Sequence, residues 1–132
     1  MCSSDLGTRR LVNDSAFMNA LRKAAKESVY CLTVCTGSAL LAKTGLLDGM
    51  RATSNKRAFD RAVSVNPNVR WQRHARWVSD GKYYSSSCVS AGIDMALGFI
   101  RDRSGEEKAR EIADSMEYVW NSDPWNDPFA LD

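Results

Sequence analysis

Cys35 has the residue type and the position to act as a nucleophile. It follows residues 29–34, which are apolar at nearly every position, as in a strand buried on both faces, and it precedes a helix-forming run. A side chain on so sharp a turn is held out at the carboxyl edge of a sheet, where the next helix N-terminus stabilises a thiolate. The backbone N–H of Thr36 would then help to hold an oxyanion, and the small Gly37 would let the turn pass close to neighbouring strands.

The residue types alone leave a second interpretation of Cys35 open, because free cysteine is often no more than a small buried side chain. Cys31, inside the predicted strand, fits that structural role. His74, the only histidine, would complete a dyad with Cys35 as its general base. It lies among basic residues ahead of a predicted strand, however, which favours a surface position.

Two polar residues near position 90 also bear on the site. Asp94 is an acid within an otherwise apolar helix, and a buried carboxylate is costly unless it is paired. We therefore expect Asp94 to accept hydrogen bonds from a neighbouring loop, around residues 53–55, rather than to act in catalysis. Ser90 is expected to cap the same helix and to face the pocket.

The elements that position these residues alternate between helix and strand. Apolar spacing predicts a first helix over residues 14–27 with Asp14 as its N-cap, a central parallel strand over 29–34, and a short helix from Ser38 closed by Gly45. Strands are predicted over 69–72 and 75–78, and Asp80-Gly81 is a strong signal for a hairpin turn.

The last third of the sequence predicts two helices and an irregular tail. Residues 89–101 are apolar on all sides, so this helix should be buried on most of its surface. The final helix is predicted to begin with a capping box formed by Ser104 and Glu107. Its apolar residues are expected to face the core: Ala109, Ile112, Ala113, Met116, Val119 and Trp120. Residues 123–129 contain two prolines and should dock by their aromatic rings.

Composition places the chain among ordinary globular proteins. Its 132 residues, 44% hydrophobic and 26% charged, suit one domain and exclude disorder or a fibre. No apolar run is long enough to span a membrane, and the start of the chain has no secretion signal. Four cysteines without a framework or CxxC spacing predict free thiols in a reducing, cytoplasmic compartment.

The net charge is only +2, but two segments of the chain carry strong and opposite charges. Residues 50–82 carry eight basic and two acidic residues, whereas residues 104–132 carry eight acidic and two basic residues. The basic segment matches no nucleic-acid recognition motif, so we interpret it as a solvated face partly neutralised by the acidic tail and expect no nucleic-acid partner.

Several segments together resemble the DJ-1/PfpI family of the class I glutamine amidotransferase-like superfamily, above all its isonitrile-hydratase-like branch. They are TVCTGSALLA at 33–42, GLLDG at 45–49 with AT at 52–53, ARWV at 75–78 and VSAGIDM at 89–95. The resemblance implies a flavodoxin-like three-layer α/β sandwich with a mostly parallel sheet, a homodimer, and Cys35 as nucleophile with Thr36 as oxyanion donor. It also implies a small-molecule substrate in a pocket near Gly7, Gly37 and Ser90, without a cofactor or metal.

The resemblance implies a hydratase or lyase that converts an isonitrile-like substrate to an N-substituted formamide. Thr36 stands where protease-like and glyoxalase-like members often carry histidine, which weighs against those activities. The alternative is a non-catalytic protein that senses a ligand or responds to oxidation of Cys35. A DNA-binding regulator is disfavoured, because only a helix and an acidic tail follow Arg103. Cys88 replaces a common glycine and is expected to alter the loop that faces the site.

The start of the chain departs from the family pattern. Residues 1–6, MCSSDL, do not resemble it, so we expect a non-native leader there, with residues 7–132 forming the C-terminal part of one family domain that lacks its N-terminal strands. CSSDL can be encoded by TGC TCT TCC GAT CT and any further base, which resembles the end of a common sequencing adapter. We accordingly expect the 132-residue chain to be poorly stable and catalytically weak. A genomic stop codon directly upstream of an expressed Met1, with CSSDL encoded in the genome, would contradict the non-native leader, and a cooperative thermal transition in a soluble monomer would contradict the poor stability.

Overall fold

The computed structural model describes residues 3–131, in which helices and short strands follow one another. The elements are α1 (Ser3–Leu11), α2 (Ser15–Glu27), β1 (Cys31–Val34), α3 (Gly37–Lys43), β2 (Arg51–Ala52), α4 (Phe59–Val65), β3 (Arg70–Trp71), β4 (Trp77–Asp80), β5 (Tyr83–Ser86), α5 (Val89–Ser104) and α6 (Glu106–Ser115).

The strands form two small sheets. The first has the order β1-β5-β4, in which β1 and β5 run parallel and β4 and β5 form an antiparallel hairpin. The second is the parallel pair β2-β3. The hairpin predicted at Asp80-Gly81 is confirmed: Asp80 pairs with Tyr83, and Gly81 takes the positive φ of 60° that this tight turn requires.

Helices cover both faces of the three-stranded sheet. Because side chains alternate along a strand, the registered pair Cys31 and Tyr83 projects to one face and the pair Leu32 and Tyr84 to the other. The first face packs against α3, and the second packs against α5. The cluster on the first face is Ala25, Leu41, Ala42, Leu47, Ala52 and Val69, and the cluster on the second is Trp77, Tyr84 and Met95.

Strand β1 differs from its prediction as a central strand buried on both faces. Within residues 3–131 it pairs only with β5, and two helices precede it in place of strands. Leu32 and Val34 are 40% and 41% exposed, because the side of β1 away from β5 has no neighbouring strand in this part of the chain. The expected burial was therefore wrong for alternate residues of β1, although the parallel pairing was correct.

The predicted start of the first long helix is confirmed. Asp14 is the N-cap of α2, and its Oδ1 accepts a hydrogen bond of 3.0 Å from the backbone N–H of Phe17. Helix α5 extends to Ser104, and its burial is less complete than predicted. Val89 and Ile93 are 59% and 39% exposed.

The capping box predicted at Ser104 and Glu107 was wrong. Ser104 is the last residue of α5, and Gly105, with φ of 93°, ends that helix and starts α6 without a side-chain cap. A direct turn from one helix into the next requires this positive φ, which glycine adopts without strain. Helix α6 then ends at Ser115, which leaves Val119 exposed rather than turned inward.

The tail docks through its backbone and one carboxylate rather than through its aromatic rings. The carbonyl of Pro124 accepts hydrogen bonds from the backbone N–H groups of Arg76 and Trp77, at 2.7 and 3.3 Å. Trp125 and Phe129 remain largely exposed. Among residues 3–131, no helix has the length and apolar character needed to cross a membrane.

Candidate functional site

Cys35 lies on a strained turn between β1 and α3. Its φ of 59° is in the left-handed region, which costs a non-glycine residue about 1–3 kcal/mol. Three hydrogen bonds hold the turn: the Cys35 N–H donates to the carbonyl of Ser86 at 3.1 Å, and its carbonyl accepts from the hydroxyls of Ser38 and Ser54 at 3.0 and 3.1 Å. The predicted sharp elbow is therefore present at this position.

Asn55 directs an amide donor at the sulfur of Cys35. Its Nδ2 lies 3.4 Å from Cys35 Sγ and 3.6 Å from Cys88 Sγ. Its Oδ1 accepts hydrogen bonds from the backbone N–H groups of Arg57 and Ala58, at 3.0 and 3.1 Å. Because the oxygen is occupied by two fixed donors, the NH₂ group must face the sulfurs. This amide can stabilise negative charge on either thiol.

Sequence reasoning did not identify Asn55 as a site residue. The available signal was the place of Asn55 in the chain, two residues before Arg57 and three before Ala58, in the turn that leads into α4. An asparagine at such a place often accepts hydrogen bonds from the backbone N–H groups of the turn through its side-chain oxygen. That pattern indicates a structural role, and only the fold shows that the other end of the amide reaches Cys35.

Thr36 ties helix α1 to the elbow. Its hydroxyl lies 2.9 Å from the hydroxyl of Thr8, and both side chains are buried. Thr36 also lines the cavity next to Cys35. Its backbone N–H as an oxyanion donor stays a prediction.

A cavity of about 850 Å³ opens at the elbow. Its wall contains Cys35 and Thr36 together with Asn55 and Cys88, so the loops after β1, β2 and β5 all contribute. The remaining wall combines basic and apolar side chains with a few polar ones. It is formed by Arg9, Lys56, Arg57, Ala58, Arg61, Arg76, Ser87, Ser90, Asp127, Pro128, Phe129, Ala130 and Leu131.

The structure brings one of the three predicted pocket residues to this cavity. Ser90 lines it, and its hydroxyl lies 3.5 Å from Nη2 of Arg76, although the N-cap of α5 is Cys88 rather than Ser90. Gly7 lies within α1, and Gly37 is the first residue of α3. Neither glycine is among the described residues that line the cavity.

Asp94 is buried and paired, as expected, but with other partners than residues 53–55. Its Oδ2 accepts a 2.8 Å hydrogen bond from Nε of Arg76. Its Oδ1 accepts from the hydroxyl of Tyr118 at 2.8 Å and from the backbone N–H of Asn121 at 3.1 Å. Burial and the bond to Asp94 raise the pKa of Tyr118. The cluster ties α5 to β4 and to the tail.

Lys56 and Asp127 form a second buried polar group at the cavity wall. Nζ of Lys56 donates to the carbonyl of Ala75 at 2.6 Å and to the hydroxyl of Thr53 at 2.8 Å, and lies 3.8 Å from Oδ2 of Asp127. Burial lowers the pKa of Lys56 to about 8, against the opposing effect of Asp127. Oδ2 of Asp127 is buried and has no hydrogen-bond partner within the described residues.

The remaining candidates lie outside the site. His74 is exposed and is not among the described residues that line the cavity, in agreement with its predicted surface position. Cys31 packs against the core on the α3 face, where burial raises the pKa of its thiol. In the part of the chain that the structure describes, no group of three or more His, Cys, Asp or Glu side chains could hold a metal ion.

Comparison with known proteins agrees with the predicted family and fold. The model of the DJ-1/PfpI family matches residues 5–102. The isonitrile hydratase of Pseudomonas putida is 31% identical over 118 residues, which are 86% of this chain and 48% of that protein. The HTH-type transcriptional regulator CdhR of Pseudomonas aeruginosa is 31% identical over 101 residues, which are 76% of this chain and 30% of that protein.

A solved structure supports the same assignment. The crystal structure of a THiJ/PfpI family protein from Pseudomonas syringae superposes with a TM-score of 0.74 and 27% identity, over 93% of this chain and 48% of that one. The flavodoxin-like α/β fold predicted from the sequence is thereby confirmed. The chain spans half or less of the length of the curated relatives that it matches. Since the family match covers most of its residues, the chain belongs to the DJ-1/PfpI family.

Proposed function

We propose that the protein is a cysteine-dependent hydratase that converts a small isonitrile to an N-substituted formamide. The observation that carries the proposal is the placement of Cys35, on a strained turn at the wall of a cavity with the Asn55 amide 3.4 Å from its sulfur. A nucleophile needs a stabilised thiolate and access to substrate; the Asn55 amide supports the first, and the place of Cys35 in the cavity wall supports the second, although its side chain is only 1% exposed. The isonitrile hydratase relative suggests the substrate class.

The proposed reaction has two steps. The Cys35 thiolate attacks the terminal isonitrile carbon, a carbon–sulfur bond forms, and the same carbon takes a proton to give a thioimidate. Water then adds to this carbon, the carbon–sulfur bond breaks, and the formamide leaves with the thiol restored. The donors near the sulfur, the Asn55 amide and the backbone N–H of Thr36, would stabilise the negative charge that develops in each step.

The proposal is tested with the protein expressed from its complete genomic reading frame. Cyclohexyl isonitrile is supplied, and formamide is measured by mass spectrometry. Cys35→Ser should abolish turnover, because a serine hydroxyl lacks the ionisation of a thiol, whereas Cys31→Ser should retain it, since Cys31 faces the core. Turnover that survives in Cys35→Ser would overturn the nucleophile assignment.

A second candidate function is a response to oxidation, which one contact favours. Cys88 shares the Asn55 amide with Cys35, so the two thiols are held beside one donor. A hydroperoxide would oxidise the Cys35 thiolate to a sulfenic acid. The Cys88 thiol would then attack that sulfur, form a disulfide and release water.

Peptide mapping distinguishes this candidate from the hydratase. After treatment with hydrogen peroxide, the oxidation response predicts a Cys35–Cys88 disulfide in the wild type and accumulation of sulfinic acid on Cys35 in Cys88→Ser. Absence of the disulfide, together with formamide production, would leave the hydratase as the function. A disulfide without any isonitrile turnover would favour the oxidation response.

A further inference from the structure

The tail supplies part of the wall of the cavity at Cys35. Four consecutive residues, 128–131, line this cavity together with the loops that carry the cysteine and Asn55. The two large side chains among them, Phe129 and Leu131, are 71% and 60% exposed. Covering such side chains with another apolar group is favourable, because apolar surface on both partners is removed from water. A ligand in the cavity is in a position to cover them.

The backbone that carries the Phe129 ring has a defined place at this wall. Oδ1 of Asp127 accepts a 3.0 Å hydrogen bond from the backbone N–H of Phe129, and the Asp127 carbonyl accepts one of 3.0 Å from the N–H of Ala130. The N–H of Asp127 donates in turn to the carbonyl of His74 at 3.0 Å. Residues 127–130 therefore form a turn, the tail turn, that is bonded to the body of the protein.

Buried charges join the tail turn to the loop that contacts the sulfur of Cys35. The side chain of Asp127 is buried, with Oδ2 3.8 Å from Nζ of Lys56 and Oδ1 3.9 Å from Nη1 of Arg76. Lys56 follows Asn55, whose amide lies 3.4 Å from Cys35 Sγ. One loop thus contacts both the sulfur and the residue that organises the tail turn, so a ligand held at Cys35 shares its cavity with a positioned apolar wall.

The size of the cavity shows that the reacting group alone does not fill it. Its volume of about 850 Å³ is in the range of roughly 300–1,000 Å³ that is typical of sites for whole small molecules. The carbon and nitrogen of an isonitrile occupy little of this space, and the rest is available to the group on the nitrogen. The side chains of Phe129 and Leu131 offer no hydrogen bond, so they favour an apolar group, and an aromatic face packs well against a ring.

We propose that Phe129 and Leu131 select substrates by the apolar group on the isonitrile nitrogen, and that the site prefers an alicyclic or aromatic ring to a methyl group. The inference deepens the proposed function and rests on it for the identity of the reacting group. The preference for a ring is a property of the cavity wall and is measurable without turnover.

Equilibrium binding of two product amides measures this preference. N-cyclohexylformamide and N-methylformamide share the formamide group and differ in the apolar group on nitrogen. Their binding to the protein from the complete reading frame is followed by ligand-observed NMR, which detects weak complexes. We expect the cyclohexyl compound to bind about tenfold more tightly, because its ring and the two tail side chains leave water together.

Variants of the tail assign the preference to the cavity wall. Phe129→Ala should lower the preference about threefold, whereas Phe129→Leu, which keeps an apolar side chain, should retain most of it. Trp125→Ala is the matched control, because Trp125 is a tail aromatic that is 52% exposed and is not among the described residues that line the cavity. This control should leave the preference unchanged.

Three outcomes of the binding experiment would overturn the inference. The first is equal binding, or no binding, of the two amides to the wild type. The second is an equal effect of Phe129→Ala and Trp125→Ala. The third is a change of oligomeric state in Phe129→Ala, seen by gel filtration, with the preference unchanged, since the ring would then pack against a second copy of the chain.

Turnover separates failure of the inference from failure of the function. The same protein is given cyclohexyl isonitrile and methyl isonitrile. A lower KM for the cyclohexyl compound, which rises in Phe129→Ala with little change in kcat, supports the inference. Equal KM values for the two isonitriles overturn it while the hydratase stands. If neither isonitrile reacts but the binding preference persists, the hydratase fails and the preference of the cavity for an apolar ring remains.

Discussion

The amide of Asn55 makes two sets of contacts beside the sulfur of Cys35. Oδ1 of Asn55 caps the turn before α4, and Nδ2 contacts the sulfurs of Cys35 and Cys88. The cap fixes the orientation of the donor, so the donor does not have to be ordered when charge develops on the sulfur.

Asn55→Asp separates these two functions, because a carboxylate keeps the acceptor for the turn but presents negative charge to the sulfur. We expect alkylation of Cys35 by iodoacetamide at pH 7 to slow by about tenfold, as the charge disfavours the thiolate. The alkylation rate of Cys31 in the same molecules is the internal control and should not change. Equal rates for Cys35 in both proteins would show that the amide contact is without effect.

At the residue scale, the sequence predicted the elbow at Cys35 but not the amide that contacts its sulfur. Cys35 could be found because the strand, the cysteine and the helix are adjacent in the chain. Asn55 could not, since it lies 20 positions after Cys35 and its contact depends on how the loop after β2 folds back. The same limit applied to Asp94, whose pairing was predicted but whose partners Arg76 and Tyr118 come from distant segments.

At the scale of elements, α5 approaches the sheet closely through two glycines. A Cβ at Gly98 would lie about 3.0 Å from the indole of Trp77, and one at Gly92 would lie 3.1 Å from the methyl groups of Val34. The absence of side chains at these two positions lets the helix lie directly on the strands.

Gly98→Val should therefore destabilise the protein. The added atoms collide with the buried Trp77 ring, and overpacking of this kind costs about 1–3 kcal/mol. Gly7→Val is the matched control, because nothing lies within 4 Å of a Cβ at that helical position, and it should change stability by less than about 0.5 kcal/mol. Urea unfolding followed by tryptophan fluorescence measures both, and equal stabilities would contradict the close packing.

Asp94 of α5 bonds Arg76, next to β4, and two residues that follow α6, so its replacement should lower the stability of the whole fold. Asp94→Ala leaves the Arg76 guanidinium buried without its main partner, and breaking such a pair costs about 3–5 kcal/mol. Asp60→Ala removes a carboxylate that pairs with Arg73 while 89% exposed, and should change stability by less than about 0.5 kcal/mol. Similar midpoints of urea unfolding for the two variants would refute this assignment.

Elements with strong local signals were predicted well, and their junctions were not. Asp14 and the Asp80-Gly81 turn specify their structures through adjacent residues. Ser104 matched a capping pattern but is the last residue of α5, and Gly105, with its positive φ, separates α5 from α6. The capping pattern and the glycine are adjacent in the sequence, so the residue types alone did not show which of them marks the junction.

At the scale of the whole molecule, the basic middle and the acidic tail meet, as the charge pattern predicted. Asp127 lies within 4 Å of both Lys56 and Arg76, and the tail also anchors its backbone to β4. The tail therefore closes one wall of the cavity while it neutralises part of the basic segment.

Burial of Lys56 predicts a specific pH dependence of stability. Its pKa falls from 10.5 to about 8 on folding, so between these values the unfolded chain binds a proton that the folded chain has released. The contribution of Lys56 to the free energy of unfolding therefore rises with pH, by about 1 kcal/mol between pH 7.5 and 9. Lys56→Met should lack this rise. The difference between wild type and variant in urea unfolding measures it, and a difference independent of pH would contradict it.

The strained conformation of Cys35 also has a consequence for the order in which the site forms. The turn is held by the carbonyl of Ser86, the last residue of β5, which belongs to the β4–β5 hairpin far along the chain from Cys35. Contacts between distant parts of a chain form late, because the intervening loop must first be closed. During folding, Cys35 would thus remain an ordinary thiol until most of the chain is in place, and any reactivity that the turn and the Asn55 amide confer would arise only at that stage.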